Sequence, residues 1–80
     1  MNTETQDAIE ACNAKLLRWL ENNHDVLTRS EFNLRADVVI AGLHESYRKN
    51  VGVESVTLAS AMYSLLTEFK TANNYDNNTI

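Results

Sequence analysis

The sequence predicts an all-α fold, a small three-helix bundle with helices at about 5–22, 29–49 and 54–72. Three observations carry this reading. Apolar residues recur at three- and four-residue spacing in three separate segments. Proline is absent and glycine occurs only at Gly42 and Gly52, so few turns are forced. The 80 residues suffice for one domain with one core. Val51 to Thr57 alternates weakly, as a strand would, but nothing in the sequence offers it a partner strand.

The first segment runs from about Thr5 to Asn22. At 100° per residue Ile9, Cys12, Leu16 and Leu20 fall on one stripe, flanked by Ala8, Leu17 and Trp19. Thr3 and Gln6 have the spacing of a capping box. Glu4, Asp7 and Glu10 lie near the positive end of the helix dipole. Asn22, Asn23, His24 and Asp25 break the pattern and read as a loop, with His24 solvated.

The second segment runs from about Arg29 to Lys49. Thr28 and Glu31 form a second capping-box pair, and Leu27 can staple onto Phe32. Phe32, Ala36, Val39, Ile40, Leu43 and Tyr47 make the main stripe. Glu31 with Arg35, and Glu45 with Lys49, are acid-to-base pairs four residues apart. Arg48 and Lys49 suit the negative end of the dipole. Asn50-Val51-Gly52 is expected to stop the helix.

The third segment runs from about Glu54 to Ala72. Its stripe is Leu58, Met62, Leu65, Leu66 and Phe69, with Ala59 beside it and Lys70 in the last turn. Residues 1–72 are thus expected to form one helical domain, with Asn73 to Ile80 a fraying, Asn-rich tail. The three stripes meet most simply in an up-down-up bundle.

Composition narrows the function. One cysteine, Cys12, cannot form an internal disulfide. No stretch approaches the roughly 18 apolar residues of a membrane span, and no basic region precedes an apolar run as in a secretory signal. A cytoplasmic location without membrane association is expected. The net charge of −4 repels phosphate and disfavours non-specific nucleic-acid binding.

Candidate chemistry is sparse. His24 and His44 sit on different elements, and neither has a second His or Cys four residues away, so no metal site is expected. Cys12 lies on the apolar stripe, where cysteine is inert packing. The carboxylates are single and explained by helix ends or ion pairs. Ser60, Ser64 and Thr67 face away from the core as a solvated face, and no glycine-rich loop could cradle a phosphate. Asn77-Asn78-Thr79 matches a glycosylation acceptor, which means nothing without secretion. No catalytic residue and no cofactor are expected. A helix-turn-helix regulator is the alternative to weigh, with Asn50 to Gly52 as the turn. The docking end of its recognition helix would carry Glu54, Ser55, Val56 and Thr57, with no arginine or lysine to read a base.

One pattern is left over. Leu34, Val38 and Ala41 have the spacing of a second apolar stripe on helix two. They lie at about 200°, 240° and 180° when Phe32 is zero, opposite the main stripe. Either a central helix two divides its faces between the other two helices, or these are scattered surface apolar residues of the ordinary kind, or they form an interface. The interface reading makes the chain a non-catalytic protein-binding module. It would be a small adaptor, subunit or inhibitor docking by a helix face on a larger protein with a basic surface, or on a second copy as a homodimer. Leu34, Val38 and Ala41 would form the apolar centre, with Asp37, Glu45 and Glu31 as an acidic rim.

Overall fold

The computed structural model describes residues 3–51 and 55–73, which form α1 (Thr3–Asn23), α2 (Arg29–Val51) and α3 (Ser55–Ala72). Among the described residues there is no strand. Each helix packs on both others. The molecule measures 41 × 18 × 18 Å. The 23 residues of α2 span about 35 Å and the 18 of α3 about 27 Å. Neither fits across an 18 Å section, so the helices run along the long axis. Trp19, late in α1, meets Phe32, early in α2, at 5.6 Å between ring centroids. His24, just past α1, meets Phe69 near the end of α3 at 5.4 Å. The order is up-down-up.

The core is three lines of residues at four-residue steps. They are Ala8, Cys12, Leu16 and Leu20; Phe32, Ala36 and Ile40; and Leu58, Met62 and Leu66, all buried. A four-residue step turns 40° beyond a full circle, so each line drifts around its helix. Ile9, Val39, Leu43, Tyr47, Leu65 and Phe69 fill in beside it, partly buried. Phe32 meets Trp19 in a tilted contact at 5.6 Å and stacks on Phe69 at 6.1 Å between centroids. This aromatic cluster closes the bundle at the α1–α2 turn.

Helix ends are held by side chains. Thr28 and Glu31 form the expected capping box: the Glu31 amide donates to Thr28 Oγ1 at 3.2 Å, and the Thr28 amide donates to Glu31 Oε1 at 3.1 Å. Leu27 packs on the same core as Phe32. Asn23 ends α1 by donating its side-chain amide to the Trp19 carbonyl at 2.8 Å, and Asn73 does the same to Phe69 at 2.9 Å. Both satisfy carbonyls that a helix terminus otherwise orphans.

The structure departs from the sequence reading in detail. Ala8 rather than Ile9 lies on the α1 core line, and Thr5 is buried with it. The line that steps by four through Cys12, Leu16 and Leu20 passes through Ala8, and Ile9 packs against it only partly buried. His24 is only partly solvated: its ring stands edge-on to Phe69, its side chain is 26% exposed, and Nδ1 lies 3.1 Å from Asp25 Oδ1. α1 begins two residues early, and α2 continues through Asn50 and Val51 instead of stopping at Lys49. Gly52, Glu54 and the tail from Asn74 to Ile80 lie outside the described residues.

Candidate protein-docking surface

The core line of α2 and its half-buried neighbours occupy one side of the helix, and both α1 and α3 pack on that side. Leu34 and Val38, opposite, are 68% and 67% exposed, and Ala41 is exposed beside them. Neither neighbouring helix takes the second stripe. Gly42 lies on the same outer side, and a Cβ added there would meet nothing within 4 Å. The fold therefore gives no packing reason for a glycine in mid-helix.

The charged rim is differently arranged from the sequence expectation. Glu45 binds both cations of its own helix: Arg48 Nη2 lies 3.1 Å from Glu45 Oε2, and Lys49 Nζ lies 3.2 Å from Oε1. The hydrogen bond from Lys49 and then those from Arg48 hold the Glu45 carboxyl below the ordinary carboxylate range. Asp37 points to the α3 flank, where it accepts a long hydrogen bond from the Tyr63 hydroxyl at 3.5 Å. Glu31 is also exposed, its carboxyl lowered by hydrogen bonds from the Thr28 backbone and side chain. Leu34, Val38, Ala41 and Glu45 thus share one line down the outer face, and Asp37 stands beside it.

That line is longer than the three apolar residues suggest. Glu31, Leu34, Val38, Ala41, Glu45 and Arg48 follow one another at steps of three and four, and all six are exposed. This is the spacing of a coiled-coil seam. The signal is present in the sequence, but half of its positions are charged, so a search for apolar residues alone passes over it.

The remaining candidates do not assemble. Cys12 is fully buried, with Sγ 4.0 Å from the Leu43 carbonyl, and burial raises its thiol pKa. His44 is half-buried on α2, whereas His24 belongs to the α1–α2 turn. Among the described residues no three His, Cys, Asp or Glu side chains group as a metal site, and no helix is long and apolar enough to cross a membrane. Ser60, Tyr63, Ser64, Thr67 and Glu68 line an open, shallow depression on the outer side of α3. Val56, at the start of α3, is 78% exposed. Comparison with known proteins finds no family model, no curated protein and no solved structure that matches this chain.

Proposed function

We propose that this chain is a non-catalytic protein-binding module that docks through the outer face of α2. The observation that carries the reading is the exposure of Leu34 and Val38, 68% and 67%, on the side of α2 turned away from its own core. Covering Leu34, Val38 and Ala41 would contribute on the order of 2–5 kcal/mol at about 25 cal/mol per Å². Asp37 and Glu31 give the rim an acidic character that suits a basic partner surface. Glu45 contributes less, because Arg48 and Lys49 already offset its charge.

The alternative, a helix-turn-helix regulator, has less support. Such motifs cross their helices at about 90–120°, whereas these helices share the 41 Å axis. Ser55, Val56 and Thr57 at the start of α3 offer no cation to a phosphate or base.

The test is a photo-crosslinking amino acid placed at position 38 in the native cell, with position 67 on the far side of α3 as control. The reading expects adducts from position 38 and none from position 67. Adducts heavier than twice the 9.0 kDa chain would report a larger partner. No adduct from position 38, or equal adducts from both positions, would overturn the reading.

A further inference from the structure

We infer that a second copy of this chain covers the outer face of α2, pairing α2 with α2 in antiparallel orientation. The inference rests on the docking role proposed for that face and names its occupant.

Register and charge select this pairing. Glu31, Leu34, Val38, Ala41, Glu45 and Arg48 form one exposed seam with heptad spacing. Its acidic end is at the N-terminus of α2, its apolar residues lie in the middle, and a cation is at the C-terminal end. A two-fold axis midway between Val38 and Ala41 reverses this order in the partner. Val38 then meets the partner's Ala41, Leu34 meets the partner's Glu45, and Glu31 meets the partner's Arg48. Each contact occurs twice by symmetry. Leu34 lies against the methylenes of Glu45, whose carboxylate is already turned to Arg48 and Lys49.

The end pairs are exposed and of opposite charge. Glu31 uses Oε1 for the capping box and also feels Arg35 of its own helix. Arg48 gives Nε and Nη2 to Glu45, and its guanidinium carries five N–H donors in all. On one flank Asp37 falls near the partner's His44, and on the other Arg35 falls near the partner's Gly42. Neither flank sets like charges together. The small residues Ala41 and Gly42 permit close approach, and the open space at Gly42 is where the partner helix passes. A parallel pair would set Glu31 against Glu31, Glu45 against Glu45 and Arg48 against Arg48. Like charges in contact oppose that arrangement.

One helix pair buries less than the roughly 800 Å² per partner of a standard interface. The dimer is accordingly weak, with a dissociation constant on the order of 100 μM. Self-pairing and docking on another protein use the same residues and exclude each other.

The experiment is sedimentation equilibrium of the full chain from about 10 μM to 1 mM, concentrations that bracket this constant, with circular dichroism on every variant. The average mass should climb from 9.0 kDa toward twice that value. Val38→Asp should stay monomeric with unchanged helicity, since Val38 is 67% exposed. Glu31→Arg and Arg48→Glu should each weaken the dimer about tenfold, and the double charge swap should restore most of the loss. Position 31 meets position 48 only in the antiparallel pair, so this recovery reads the orientation directly. A wild-type monomer at 1 mM, a dimer that Val38→Asp leaves intact, or a double swap that recovers nothing would each overturn the inference. A monomer that still yields crosslinks from position 38 in cells overturns the self-pairing alone. Loss of those crosslinks overturns the docking role itself.

Discussion

Thr28 fixes the entry of α2 with one hydroxyl. It accepts from the Glu31 amide, and Glu31 returns the bond to the Thr28 amide. Thr28→Ala should cost about 1 kcal/mol, a fall of roughly 4–8 °C in Tm for a domain of this size. The pair also carries a pH signature. The Glu31 and Glu45 carboxyls are lowered in the folded chain. Each therefore contributes stability above its unfolded value, near 4.3, and loses it as pH falls through the lower folded value. Thermal melts from pH 7 to pH 2 should show Tm declining across that acid range. The decline should be shallower in Thr28→Ala, where the Glu31 carboxylate keeps the bond from the Thr28 amide but has lost the one from the hydroxyl. At Cys12, full burial and a raised pKa predict a thiol that reacts with a disulfide reagent only when the chain opens. Native protein should react at least tenfold more slowly than urea-unfolded protein, a difference of about 1.4 kcal/mol or more in accessibility.

Among the elements, α2 is the one whose composition and role diverge most. A glycine in a helix interior costs about 1 kcal/mol relative to alanine. At Gly42 the added methyl would meet nothing of its own chain. Gly42→Ala should therefore stabilise the dilute monomer by about 1 kcal/mol, read as a Tm rise of roughly 4–8 °C. A lower Tm would mean that the outer side of α2 is covered even in the monomer. α1 and α3 are simpler. The buried residues of each lie on one face, and an asparagine, Asn23 at the end of α1 and Asn73 just past α3, bonds its side chain back to the helix.

For the whole molecule, stability concentrates in one short core. Phe32 is fully buried and contacts both the Trp19 and the Phe69 rings, so it joins α1, α2 and α3 at one end. Phe32→Ala should cost about 3–5 kcal/mol. A domain of this length has only roughly 4–12 kcal/mol to lose. Circular dichroism at 25 °C should show a large loss of helix or a Tm lowered by at least 12 °C, the fall expected from about 3 kcal/mol. The rod shape, 41 Å long and 18 Å across, also leaves little depth for a closed pocket and much lateral helix surface for docking.

The sequence by itself determined the three helices, the buried residues of the α2 and α3 stripes, the Thr28–Glu31 box and the Glu45–Lys49 pair. These are local properties, set by 100° per residue and by bonds within one turn. Three things were decided only by the tertiary structure. It placed Ala8 and Thr5 inside and moved Ile9 to the margin. It also stood His24 against Phe69, a contact between residues far apart in the chain. Above all it left the second apolar stripe of α2 unpacked. Periodicity alone marks Phe32–Ala36–Ile40 as the main stripe but cannot say whether Leu34–Val38–Ala41 has a helix against it, because a helix pattern records no neighbours. In a bundle of three, two helices cover only one side of the third. The bulkier stripe was drawn inward, and the other was left facing out.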